Sequence, residues 1–158
     1  MASLLNGSVI EPGQTWSLNE RAGKRSKSSP YRWKDAAGIE NGAYTPQPGG
    51  GVCQLGSTTY NAAIRSGLTP VEHNHHSIPS GYVPLGLDAT INSSSLDLTL
   101  RNDSTTALYM VTYLNPSKQY VTVEFYGVPL TDTAGQQIIY TFTNKYLGEY
   151  GSPTAKVI

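Results

Sequence analysis

Gly49-Gly50-Gly51-Val52-Cys53-Gln54-Leu55-Gly56-Ser57-Thr58-Thr59-Tyr60-Asn61-Ala62-Ala63 is the stretch that decides how the chain is read. Three glycines run into the only cysteine, and the polar and apolar residues after it predict a helix from about Val52 to Ser66, closed by Gly67 with Pro70 just beyond. Val52, Leu55, Tyr60, Ala63, Ile64 and Leu68 supply the buried side of that helix, and the small Ala62 and Ala63 allow close approach to a sheet. The cysteine then stands at a helix N-terminus, where unpaired N–H groups and the positive end of the macrodipole favour a thiolate. The glycines let the backbone come near a substrate and can aim N–H groups at a developing oxyanion. A lone cysteine is ordinarily a small buried hydrophobe, and serine and threonine beside it are ordinarily caps, so the rest of the chain must decide between the two readings.

Working outward, the 158 residues are read as a single domain over 1–158, long enough to bury a core. Eleven basic and eleven acidic residues leave a net charge of +0, so no overall field draws the chain to nucleic acid or to an anionic membrane. Only 14% of residues are charged, while tyrosine, serine, threonine and glycine are abundant, which suits a β-rich domain working outside the cytoplasm. One cysteine excludes an internal disulfide framework. No apolar run reaches the length of a membrane span. No signal peptide is visible, and Met1-Ala2-Ser3 leads straight into the domain-like Leu4-Leu5-Asn6-Gly7, so the start reads as a cut boundary that leaves the location of the parent protein open.

On the N-terminal side, Val9-Ile10 and Thr15-Trp16-Ser17-Leu18 flank Pro12-Gly13 and are expected to form a hairpin with Trp16 and Leu18 facing the core. Arg21 to Tyr31 reads as an exposed basic loop, either a solvated connection or a receiver for a carboxylate-rich substrate. Asn41-Gly42 between β-like runs signals a second hairpin. On the C-terminal side a meander is expected over 96–146: Leu96–Leu100, a turn at Asn102-Asp103, 107–114, a turn at 115–118, 120–126, and a last strand from Gln136 to Tyr146. Its tyrosines read as packing residues, with a carbohydrate platform as the alternative.

Val71-Glu72-His73-Asn74-His75-His76-Ser77 holds every histidine. In an extended segment His73 and His75 share one face and His76 takes the other. Two chemistries compete: zinc ligation by the alternating histidines with Glu72 or Cys53, or an imidazole acting as general base to Cys53. A third metal ligand is not obvious, so the reading carries no metal and no cofactor. Asp88 is a candidate to orient a histidine, or else an Asx-turn residue.

The motifs in order resemble the VanW domain family. They are Leu5-Asn6-Gly7, Pro12-Gly13-Gln14-Thr15-Trp16-Ser17-Leu18-Asn19, Asn41-Gly42, Gly49 to Gln54, Ser57 to Ala63, His76-Ser77 and Tyr82 to Thr90, spread over residues 3–102. The resemblance implies an exported or membrane-anchored protein of the bacterial envelope, in a family linked by name to glycopeptide resistance. Some members are L,D-transpeptidases that form 3-3 crosslinks in peptidoglycan through a cysteine. Carried onto this chain, it makes Cys53 the nucleophile, His76 the general base with His75 as the alternative, and Asp88 the orienting carboxylate. Gly50, Gly51, Gln54, Ser57 and Tyr82 become the oxyanion and substrate-binding positions. One departure is that many members carry a histidine at the position of Asn74, which leaves the base open between His76 and His75. The expected partners are peptidoglycan stem peptides. A thiol peptidase or amidase on those stems and a non-catalytic wall-binding module are the alternatives. The fold class expected is α+β: a mainly antiparallel sheet with one principal helix carrying the cysteine at its N-terminus, similar by analogy to the layout of papain-like enzymes.

Overall fold

A computed structural model describes residues 1–139 apart from positions 32, 41, 42, 116, 118 and 119, together with the strands Tyr146–Leu147 and Lys156–Val157. The chain runs through α1 (Ala2–Leu5), β1 (Val9–Ile10), β2 (Thr15–Ser17), α2 (Leu18–Ala22), β3 (Asp35–Glu40), β4 (Ala43–Pro48), α3 (Val52–Arg65), β5 (Thr69–Glu72), β6 (Thr99–Arg101), β7 (Leu108–Asn115) and β8 (Tyr120–Tyr126). Two three-stranded sheets, β2-β6-β5 and β1-β7-β8, stand beside the two-stranded ladder β3-β4, and every pairing is antiparallel. The terminal strands, β9 (Tyr146–Leu147) and β10 (Lys156–Val157), pair with each other. This is the expected α+β class.

The Pro12-Gly13 turn forms, with Gly13 at φ +74° and Gln14 N–H donating to the Glu11 carbonyl, but its two arms do not pair. β1 joins β7 and β2 joins β6. Asn102 is the reason. Its buried backbone exchanges hydrogen bonds with Gly13 and Gln14, while its side-chain amide donates to the carbonyls of Ile10 and Thr106, at 2.8 and 2.9 Å. The turn is thus clamped between two sheets, and the arms diverge on either side of it. Leu18 opens a helix where a strand residue was expected, because Ser17-Leu18-Asn19-Glu20 is a capping sequence and the Ser17 hydroxyl accepts the Glu20 N–H at 3.0 Å. Trp16 and Leu18 are nonetheless buried, as expected.

The meander is shorter than the sequence suggested. β7 and β8 pair as consecutive strands, whereas β6 belongs to the other sheet, bonded to β2 and β5. Gln137 makes one bridge, to Thr131, and positions 140–145 of the last expected strand lie outside the described residues. So do Asn41 and Gly42, where a turn is expected, while β3 and β4 on either side are paired.

Leu5, Ile10, Leu18, Leu55, Leu98, Leu100 and Met110 fill the core between the sheets and α3. The helix buries Val52, Leu55, Ala63 and Ile64 and ends as expected, with Gly67 at φ +79° and Leu68 N–H donating back to Ala63. Residues 73–98 connect β5 to β6 without regular structure. Loops of such length inside a compact fold commonly carry function.

Candidate active site

Cys53 is the second residue of α3, so its own N–H and that of Gln54 fall in the first turn, where a helix offers no carbonyl partner. The glycines ahead of it divide their work. Gly51 caps the helix at φ +84°. Gly50 lies against β3 so closely that a Cβ would come within 2.3 Å of the Ala36 carbonyl oxygen, and its N–H donates to Gln47 at 3.2 Å. Gly50 is therefore required by close packing, and its N–H is already engaged.

The histidine segment does not continue β5 with alternating faces. It wraps around Asp88, and all three rings bond to that residue. His73 Nε2 donates to the Asp88 carbonyl at 2.7 Å, His75 Nδ1 lies 3.1 Å from Oδ1, and His76 Nδ1 lies 2.6 Å from Oδ2. The His76 backbone N–H adds a second bond to Oδ2 at 2.7 Å. A buried carboxylate draws every nearby donor to itself, and this overrides the extended geometry read from the sequence. Glu72, offered above as a metal ligand beside the histidines, instead accepts the Asp97 N–H at 2.8 Å.

Cys53, His76 and Asp88 are brought together in series. Burial pushes the Asp88 carboxyl up, but the hydrogen bonds from His75 and His76 outweigh it and hold it well below the usual carboxylate range. His76 is raised to about 9, first by its hydrogen bond to Asp88 and then by the nearby Cys53, with burial opposing both, while the Cys53 thiol donates to the Ile91 carbonyl at 3.4 Å. Because Nδ1 is occupied by Asp88, Nε2 is the ring nitrogen left for the thiol. His75 holds the other carboxylate oxygen and does not line the cleft at Cys53. His73 is stacked on Tyr60, with ring centroids 3.9 Å apart, and its pKa is lowered by burial. Of the two candidate bases, only His76 lines the cleft with Cys53.

The segment 87–91 holds these parts in place, each residue bonding a different partner. Leu87 accepts from the Asn61 amide, Asp88 takes the histidines, Ala89 N–H donates to Ser57 Oγ, Thr90 N–H donates to the Asn74 carbonyl, and Ile91 N–H donates to Cys53 Sγ at 3.3 Å. Ser57 is fully buried, its hydroxyl also donating to the Cys53 carbonyl at 2.8 Å. It is not among the residues of the cleft wall, and its two bonds fix the helix against this segment. Gly56 permits the contact, since a Cβ there would meet Ile91 Cγ1 at 2.8 Å.

The cleft in front of Cys53 has a volume of about 550 Å³. Its wall includes Gly50, Gly51, Gln54, His76 and Tyr82, all expected at the site, and Tyr82 stands edge-on to His76 with centroids 6.4 Å apart. Ile91 and Arg25 are among the wall residues that the sequence did not point to. Ile91, which brackets the sulfur through its backbone, carries no sequence signal. Arg25 was read as part of an exposed loop, yet it is half-buried on the cleft wall with Nη2 donating to Asn19 Oδ1 at 2.8 Å. Asn19 in the N-terminal motif was the signal that could have found it.

An α+β domain with thiol, imidazole and carboxylate in series at a cleft is the class these observations define. Residues 1–126 match the model of the VanW like protein family, and the chain belongs to that family. Over 101 residues, 64% of the chain, it is 36% identical to the uncharacterized protein YoaR of Bacillus subtilis, and the match covers 33% of that protein. It is 33% identical over 108 residues, 65% of the chain, to the vancomycin B-type resistance protein VanW of Enterococcus faecalis, of which 38% is covered. The chain thus spans little more than a third of the curated relatives it matches. No solved structure matches it. Among the described residues, no helix is long and apolar enough to cross a membrane.

Proposed function

We propose that this domain is a cysteine acyl transferase of the bacterial cell envelope, an L,D-transpeptidase that crosslinks peptidoglycan stem peptides. The observation that carries the proposal is His76, which bonds Asp88 through Nδ1 and has Nε2 left for Cys53. The relative named for vancomycin resistance supports an envelope role.

In the proposed reaction the Cys53 thiolate, paired with the His76 imidazolium, attacks the carbonyl carbon of the third residue of a stem tetrapeptide. The carbonyl oxygen becomes an oxyanion facing the N–H groups at the start of α3, each donor worth about 3 kcal/mol in comparable sites. His76 Nε2 gives its proton to the departing nitrogen, the C–N bond breaks, and D-alanine leaves a thioester on Cys53. The side-chain amine of a second stem then attacks the thioester, its proton passes to His76, and the C–S bond breaks to regenerate the thiolate. Asp88 keeps the imidazole in the tautomer and orientation that both proton transfers need.

The test is intact-mass measurement of the chain after incubation with a disaccharide-tetrapeptide. The expected result is a tripeptide adduct on Cys53 and none on Cys53→Ala. No adduct, or an equal one on the variant, refutes the proposal. Hydrolysed stems without dimers would make water the acceptor and the protein a thiol peptidase.

A further inference from the structure

The cleft at Cys53 has a charge pattern that the reaction above does not use. Among the described residues its wall carries Arg25 and His76 but no carboxylate. Arg25 is held firmly. Nη2 donates to Asn19, whose own amide donates to the carbonyls of Asn92 and Leu96 at 2.8 and 3.1 Å. Gly49 makes room for the arginine, because a Cβ at that position would lie 2.6 Å from Arg25 Cδ.

Fixed in this way, the guanidinium has not spent its bonding capacity. Nη1 is buried and has no hydrogen-bond partner. Asp97 is close enough to interact electrostatically, but its oxygens accept from the Ser17 hydroxyl and from the N–H groups of Asn19 and Leu98. An arginine stays charged in a protein, and its planar donors match a carboxylate better than any other anion-binding side chain does. Thr90, also on the wall, likewise has its hydroxyl without a partner.

We propose that Arg25 receives the free α-carboxylate of the residue just beyond the scissile amide, so that the cleft selects peptides to be cut one residue from their C-terminal end. This specificity role rests on the acyl-transfer reading. In the first step the carboxylate leaves with the departing amino acid, and the acceptor amine enters a site whose cation is free again. The stem carries other carboxylates, so the claim concerns the terminal one alone.

Calorimetry on the Cys53→Ala chain tests the proposal without any reaction, using the stem tetrapeptide and the same peptide with its C-terminus amidated. The acid should bind on the order of 10- to 100-fold more tightly than the amide, the range for a hydrogen bond to a charged group. Adding Arg25→Gln should bring the two ligands within about threefold of each other, and Arg25→Lys should restore part of the gap. Equal binding of acid and amide with Arg25 intact overturns the proposal, as does no binding of the acid at all. Equal weakening of both ligands by Arg25→Gln also overturns it, since that is what a purely structural arginine would give. The two readings fail separately. A preference for the acid without an adduct on the intact chain removes acyl transfer alone, and adducts formed equally from acid and amide remove the role of Arg25 alone.

Discussion

Asp88→Asn keeps the shape of the buried side chain and removes its charge, so it isolates what the carboxylate does for His76. The imidazole stands at about 9 against an ordinary 6.5, and its hydrogen bond to Asp88 is the largest cause. At about 1.4 kcal/mol per pH unit, the whole shift corresponds to roughly 3 kcal/mol shared between Asp88 and Cys53. The ring is only 10% exposed, yet it borders an open cleft, and screening there reduces the share of Asp88 to roughly 1–2 kcal/mol. The midpoint of His76, followed by NMR of its ring, should therefore fall by about one unit or more in Asp88→Asn. It should fall by less in Cys53→Ala, because the thiol is the second cause.

The sign of the stability effect follows from the same pair. A raised histidine contributes stability that is fully present below about 6.5 and is lost as pH rises through about 9. The depressed Asp88 carboxyl contributes stability that is present above its ordinary value and is lost as pH falls through its lowered one. The stability gap between the intact chain and Asp88→Asn should thus be widest from about pH 4 to pH 6.5 and should narrow as pH rises through about 9, leaving the share that Asp88 keeps at high pH. An asparagine amide facing Nδ1 also favours the tautomer with its proton on Nε2, directed at the sulfur. Adduct formation should then slow on the order of 100-fold or more. A His76 midpoint near 6.5 in the intact chain, or one unmoved by Asp88→Asn, would refute the reasoning.

Other perturbations probe the parts that position the site. Ser57→Ala leaves the Ala89 N–H without its buried acceptor and should cost about 1–3 kcal/mol in urea unfolding, with slower adduct formation from the loosened helix. Asn102→Ala keeps the backbone bonds to the Pro12-Gly13 turn but removes two side-chain bonds to carbonyls, so a loss of about 2 kcal/mol is expected, with little change in reactivity per folded molecule. Gly56→Ala gains about 1 kcal/mol of helix propensity but drives a Cβ into Ile91, so unfolding should change little or fall modestly while iodoacetamide labelling of Cys53 changes several-fold. Unchanged labelling would show that Ile91 gives way without moving its backbone.

What the sequence made legible was local. The 3.6-residue pattern and the Gly67 stop located α3, Pro12-Gly13 located a turn, and Trp16 and Leu18 were read as core. Strand partners were not legible. Strands of two or three residues, such as β1, β2 and β6, carry too little alternation to specify a register, and a buried side chain 92 residues away in sequence, Asn102, decides where Ile10 goes. The capping sequence at Ser17 was visible, but the alternation around Trp16 masked it. At the site, residue types pointed to Cys53, a histidine and Asp88, while the gathering of His75 and His76 around one carboxylate was not legible. Arg25 was hidden for a physical reason: charge and small residues mark a loop as exposed, and nothing in composition reveals that one of its cations folds inward onto Asn19.

The glycine run and the Asp88-Ala89-Thr90-Ile91 segment are best understood together. The first seats the chain against β3 just ahead of α3, and the second laces the helix to the histidine loop by giving each successive residue a different partner. In an extended segment neighbouring residues point opposite ways, so a single short stretch can bond the helix on one side and the histidine loop on the other. That is why Asp88 and Ile91 act at the two ends of the same series, one on His76 and the other on Cys53. The spacing between sulfur and imidazole is then set by three peptide units of fixed length. A change that slides this segment, even by a fraction of an ångström, must disturb both ends at once, so coupling between Ile91-side and Asp88-side substitutions should be non-additive in labelling rate.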